Sequence, residues 1–394
     1  MLNYGSVPGY APACQDRTDP ETVRRAIPKR LDTVLPVPEP DLLAALQKHV
    51  EAWCRRNLSP VSPLEFEDWL STTSYDEGRK RQMREAREKN RARCCPARYR
   101  QMAKSFLKNE SFDEPKEART INSRHDRFKA WAGPYVKAME REVYKVRHFI
   151  KNAPVPERPA MIAALERAGL RYYENDYKNY EGSLLPALQK AVECTLVKYL
   201  LKSDPVAADI LCATDTGKCT LLFTATHLAY ELTGERLSGD LWTSLFNGFH
   251  NLMVFTFLCA SKGDDHPEGF VEGDDGIFAT TVALTARDFE RLGHRVEIKE
   301  LRSPLDGHFC GMVMARDKTL MKDPRRVFRT FGWTESSIQA GHKVMDELLR
   351  AKAMSLAYEM PQCPVVGELA RQALRLTIGV GVRNIHNYKE TPVD

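Results

Sequence analysis

The stretch Phe270-Val271-Glu272-Gly273-Asp274-Asp275-Gly276-Ile277-Phe278 constrains this chain more than any other. Two adjacent carboxylates lie between two short apolar runs, with a glycine on each side. Runs such as Phe270-Val271 and Ile277-Phe278 favour buried strands, and the glycines permit a tight turn. The pattern predicts a β-hairpin that holds Asp274 and Asp275 at its tip. Neighbouring like charges repel, and a divalent metal with oxygen ligands compensates them well. A solvated turn uses the same residue types, so the choice rests on partners elsewhere in the chain. A second copy, Gly263-Asp264-Asp265, is flanked by Lys262, His266, Pro267 and Glu268. Pro267 disfavours a strand, and this copy is expected to be an exposed loop.

The 394 residues can bury a large core, divided among several subdomains. A hydrophobic content of 43% and a charged content of 28% are those of an ordinary soluble protein. The net charge is only +5, but it is unevenly spread. Between Gly78 and Lys108, 12 bases (Arg79, Lys80 and Arg81 among them) face only Glu85 and Glu88. Such a run is either a solvated helix face or a surface for a polyanion. The 10 cysteines form no Cys-x-x-Cys pair, which points to free thiols in a reducing compartment and away from structural zinc. The most apolar tract, Leu241 to Ala260, contains Asn247, His250 and Asn251 and therefore reads as a buried helix rather than a membrane span.

In chain order, proline-rich Met1 to Pro40 is expected to be extended. Asp41 to Arg56, Glu65 to Leu70, the basic stretch after Tyr75, and Gly133 to Phe149 follow helical patterns. Phe106 to Asn122 reads as a bent β-ribbon broken at Pro115, carrying Lys108, Lys116 and Arg119. Tyr172 to Ser183 begins as an aromatic strand with Asp176 near its end and a helix from Ser183. A strand-terminal carboxylate can complete a metal site with a neighbouring hairpin, or simply cap. Ser238-Gly239 forms a flexible loop, and Thr243 and Asn247 lie four apart on one helix face. That face turns either to a ligand or into a buried polar core.

Asp-x4-acid (Asp176, Glu181), Ser-Gly-x3-Thr-x3-Asn (Ser238 to Asn247) and strand-Gly-Asp-Asp-strand, in this order, resemble the palm of viral RNA-dependent RNA polymerases. Lys108-x-Glu110 with Lys116 and Arg119 resembles the fingers motif that channels nucleotides. Tyr75 with Gly78-Arg79-Lys80-Arg81 is similar to a template-entry motif. Lys299 resembles the lysine of the fourth palm motif, and Phe309-Cys310 the primer-grip hairpin. Wording from Lys108 to Glu140 and from Leu237 to Asn247 is closest to tombusvirus-like positive-strand RNA viruses. The resemblance covers about Leu58 to Trp333, with one departure: Glu181 stands where aspartate is common.

The resemblance implies an α+β right hand. An N-terminal extension (1–57) would precede fingers (58–165), a palm with a small antiparallel sheet (166–310, with a finger insertion at 185–235) and a small helical thumb (311–394). It further implies that Asp176 and Asp274, supported by Asp275, hold two Mg2+ ions, with Mn2+ as the alternative ion. Lys116 and Arg119 would neutralise the triphosphate, with Lys108 beside them, and Lys299 would protonate the leaving pyrophosphate or rest in a surface salt bridge. Glu181, Ser238, Gly239, Thr243 and Asn247 would bind the nucleotide, and Arg79, Lys80 and Arg81 the RNA. The implied partners are template and nascent RNA, NTPs and other viral replicase proteins. The implied place is a membrane-associated replication complex in the host cytoplasm, reached through a partner because the chain has no transmembrane segment of its own. Two other readings are a reverse transcriptase, against which Asn247 and the Ser-Gly loop argue, and a non-catalytic RNA-binding replicase component, which need not keep three carboxylates in register.

Overall fold

A computed structural model describes residues 2–3, 13–31, 35–90, 95–112, 114–154, 157–177, 180–314, 317, 320–334, 341–360 and 363–382. It is a mixed α/β structure built on small sheets. The aspartate-bearing hairpin belongs to a four-stranded antiparallel sheet, ordered Val296–Leu301, Arg171–Tyr177, Asp275–Thr280, Glu268–Glu272. Alternate side chains of a strand point to opposite faces, and both faces of this sheet are covered. Tyr173, Tyr177, Val271 and Phe278 pack on the helix Thr243–Ser261 in the largest core, where the rings of Phe255 and Phe278 stack 3.8 Å apart. Tyr172, Phe270, Ile277 and Leu301 face a smaller core closed by Ile150, Ile162 and Phe309. Each such side chain contributes about 1.5–3 kcal/mol on leaving water.

A second four-stranded sheet, ordered Thr120–Arg124, Met102–Leu107, Lys218–Phe223, Leu228–Thr233, joins the ribbon to a hairpin about a hundred residues later. Its core includes Val23, Ala26 and Ile27 of the helix Pro20–Leu31. That helix corrects the expectation of an extended N-terminal region. Pro20 sits at the first helical residue, where its missing N–H costs nothing. The stripe Val23, Ala26, Ile27 then finds an apolar sheet to cover. Helices His342–Glu359 and Pro364–Leu376 form a separate cluster with Val327 and Phe331.

Three further expectations shift. The helix expected from Gly133 to Phe149 runs Asp126–Val143, because the His125 side chain accepts from Arg127 N at its start and Phe128 opens the buried stripe. Gly133 lies inside it because the Trp69 ring leaves no room for a Cβ. In place of a helix from Ser183 there is a 3-10 turn, Tyr180–Ser183. The α-helix starts at Pro186, whose ring keeps Leu185 extended. Finally, Asp264 is not exposed. It is 8% accessible and accepts from Thr280 Oγ1 (2.6 Å), Thr281 N (2.8 Å) and His266 N (3.1 Å), so the second Gly-Asp-Asp latches the loop to the hairpin strand.

Candidate active site

Asp275 pairs with Glu272 across the hairpin, which leaves Gly273 and Asp274 as a two-residue turn. Gly273 has φ +61°, and the first central position of a type II′ turn requires that sign. A Cβ there would meet nothing within 4 Å, so conformation rather than space demands the glycine. Gly276 is demanded by space: its Cβ would lie 2.4–2.5 Å from the Phe278 ring and Asn175 Oδ1. Gly276 pairs with Asn175, and one further step along that register sets Asp275 beside Asp176. On its other side Asp176 pairs with Glu297. The two stretches that carry the three predicted ligands therefore end side by side. The Asp176 and Glu181 side chains lie outside the described residues; Asp274 is exposed and Asp275 half-buried.

The hairpin tip carries a negative field that its neighbours register. Burial raises the Tyr177 and Tyr180 phenols, and the charge of Asp274 raises them further. Burial likewise raises the Cys310 thiol, with Glu272 and Asp275 adding to it. Cys310 has φ +54°, and its Sγ donates to Glu272 Oε2 (3.6 Å), which also receives Arg158 Nη1 at 3.3 Å.

Beneath the tip runs the helix Thr243–Ser261. Thr243 Oγ1 donates to Leu237 O (2.8 Å) and folds the Ser238-Gly239 loop back over the helix start. Gly239 has φ +88°, and Asn122 N donates to Ser238 O (2.7 Å), which fixes the loop to the ribbon strand Thr120–Arg124. Under this junction the buried pair Arg124–Asp240 (2.8 Å) joins the same two segments. Asn247 is 5% accessible, and its Oδ1 has no hydrogen-bond partner among the described residues. Its backbone carbonyl accepts from Tyr180 Oη at 3.1 Å, tying the helix to the turn of Glu181.

The predicted cations other than Arg81 are engaged with carboxylates or an aromatic ring. Arg119 and Lys108 (3.0 Å) both reach Glu110. Burial alone would raise the Glu110 carboxyl, but Arg119 and Lys108 hold it below its ordinary value. Lys116 lies over the Phe112 ring at 4.8 Å. Lys299 is 3.7 Å from Glu174, two residues before Asp176 on the neighbouring strand, and so occupies the salt bridge that the sequence left open. In the basic helix Glu77–Glu88, Arg79 makes a two-pronged bond to Asp126 (2.5 and 2.7 Å), Lys80 reaches Glu77 at 3.1 Å, and Arg81 is exposed.

A family model described as viral RNA-dependent RNA polymerase matches residues 101–362. This chain belongs to that family. It is an RNA-directed RNA polymerase, a nucleotidyltransferase of viral RNA replication. The match takes in the ribbon, the strand of Asp176, the Ser-Gly helix and the hairpin, whereas the helix Pro20–Leu31 of the polymerase lies outside it. No curated protein matches the chain. Sequence reasoning missed several residues that hold this candidate site together: Arg124 with Asp240, Glu110 as the shared partner of Lys108 and Arg119, and Asn251, which bonds both aspartate-bearing segments. Asn251 and Asp240 stand inside or beside the quoted motifs, but their partners are 23 to 116 residues away, and no local pattern reveals them.

Proposed function

We propose that the polymerase copies a positive-strand RNA genome of the tombusvirus-like kind, by two-metal nucleotidyl transfer within a right hand divided as the motifs imply. The register that brings Asp274 and Asp275 alongside Asp176 carries this reading. Their all-oxygen donor set and the negative field at the tip suit a hard divalent cation, Mg2+ or Mn2+. Asp176 and Asp274 would hold the metals, with Asp275 supporting. Bound there, the ions would stabilise the attacking 3′-oxygen and the leaving pyrophosphate.

The protein's own groups do the rest. Arg119, Lys108 and Lys116 carry positive charge along one ribbon, suited to a triphosphate, and Glu110 keeps two of them gathered when no nucleotide is bound. Lys299 would release a proton toward pyrophosphate after leaving Glu174. Asn247 offers a buried acceptor to the ribose 2′-hydroxyl, with Ser238, Gly239, Thr243 and Glu181 shaping that subsite. This acceptor favours RNA over DNA synthesis. Template would run along Arg81 and Lys80, with Arg79 close by. Among the described residues, no helix is long and apolar enough to cross a membrane. The proposal includes a partner replicase protein that holds the polymerase at membranes of the host cytoplasm. Incorporation of labelled ribonucleotides on a short RNA, with and without a chelator, tests the reading: label must enter RNA and vanish with EDTA. Metal-independent incorporation, or none at all, defeats it.

A further inference from the structure

Asn251 lies one helical turn beyond Asn247 and is completely buried. Its amide makes three bonds, all to the elements that carry the aspartates. Nδ2 donates to the backbone carbonyl of Asp274 at 3.0 Å. Oδ1 accepts from Asn175 Nδ2 at 2.6 Å and from Tyr177 Oη at 3.5 Å. Asn175 and Tyr177 flank Asp176 on either side. A carbonyl can only accept, so the Asp274 bond fixes which way the Asn251 amide points, and its oxygen is left to face the strand of Asp176. Asn175 is itself held over Gly276, where no side chain intrudes.

We infer that Asn251 is the positioning residue that sets the distance between Asp176 and Asp274, so that both can bind one pair of ions. Without it the two strands would still pair through their backbones. The two ends would, however, lose a side chain that grips both at once. The inference rests on the assignment of Asp176 and Asp274 as metal ligands. Its signature is specific: loss falls on metal affinity and turnover, not on nucleotide or RNA binding, because Asn251 touches neither subsite.

Asn251→Leu in the full chain keeps the branched outline of the side chain and removes all three bonds. Measured by EPR titration of free Mn2+ without nucleotide, its Mn2+ affinity should fall at least tenfold. Its kcat should fall tenfold or more, with KM for ATP and the ATP-to-dATP ratio within twofold of wild type. Active-site titration normalises both for folded protein. Asn251→Ser, which can serve one partner but not both, should lie between; if the leucine variant does not fold, the serine variant alone must show the same split. Wild-type Mn2+ affinity and kcat in a folded variant would overturn the inference, as would a loss confined to KM. Asp274→Ala run in parallel separates the two levels. If it retains incorporation, the ligand assignment itself is wrong; if it is inactive while the Asn251 variants are normal, only the positioning role is.

Discussion

The chain contains two Gly-Asp-Asp tripeptides, and at the level of single residues they do different work. Asp274→Ala should abolish incorporation while RNA affinity, read by filter binding, stays within about twofold. Asp264→Ala should instead cost stability. It strips the buried Thr280 hydroxyl, and the backbone N–H groups of Thr281 and His266, of their shared acceptor, a loss of about 1–3 kcal/mol. Denaturant melts should show that loss, and turnover per folded molecule should change little. Equal loss of turnover in both variants would contradict the assignment. The ribose subsite makes a second residue-level prediction. A site built to bond a hydroxyl rejects the deoxy analogue because its polar groups stay unpaired, at about 1–3 kcal/mol. Asn247→Ala should therefore raise dATP use relative to ATP, Glu181→Gln should do so partially, and Glu181→Asp should stay near wild type. Comparing kcat/KM for the two nucleotides on one template decides it.

Among the secondary-structure elements, the basic helix Glu77–Glu88 separates into structural and available charge. The bond from Arg79 to Asp126 fastens this helix to the start of Asp126–Val143, and burial and pairing keep Arg79 half-covered. Arg81 faces solvent, and among the described residues Lys80 is paired locally, with Glu77 one turn away. Each phosphate contact on single-stranded RNA contributes about 0.7 to the slope of log affinity against log salt. Lys80→Gln with Arg81→Gln should flatten that slope by about 1.4. Adding Arg79→Gln should lower the melting temperature more than it changes the slope.

What the sequence revealed also divides by element. The hairpin, the strand of Asp176 and the long helix were legible because glycine placement, β-branched and aromatic flanks and apolar period are local signals. The helix Pro20–Leu31 was not, because prolines mask its pattern and its stripe gains meaning only from the sheet it covers. The loop at Asp264 was misread for the same reason: its acceptors are satisfied by Thr280 and Thr281, on and beyond a strand 16 or more residues later. Of the candidate site, the acidic and amide residues stand in motifs that the sequence displays. The bonds of Asn251 and Arg124 were invisible because tertiary contact alone makes them.

Across the whole molecule, half-buried His49 and buried His294 make stability depend on pH. Burial lowers His49 to about 4, with Arg56 adding to the effect, and its Nε2 lies 3.0 Å from Thr256 Oγ1. Burial, with His250 beside it, likewise lowers His294 well below its ordinary value. An unfolded chain takes up these protons near pH 6.5, whereas the folded chain does not. The unfolded state therefore binds more protons between pH 6.5 and about 4, and stability present above 6.5 is lost as pH falls through that window. For His49 alone the loss approaches about 3 kcal/mol by pH 4. Melting temperature measured across this range should drop, and His49→Gln should drop less steeply than wild type.

The pairing of Leu2–Asn3 with Trp333–Thr334 and the covering of the ribbon sheet by Val23 and Ile27 also have a meaning in time. A ribosome adding 5–20 residues per second needs on the order of 10–40 s to travel from Ile27 to Leu221, and longer to reach Trp333. For that interval the N-terminal helix lacks the Lys218–Phe223 and Leu228–Thr233 half of its sheet, and the first strand has no neighbour. The nascent polymerase must carry this apolar stripe at best partly covered until Lys218–Phe223 is made, and a holdase that grips the helix Pro20–Leu31 would act while that stripe is still open to aggregation.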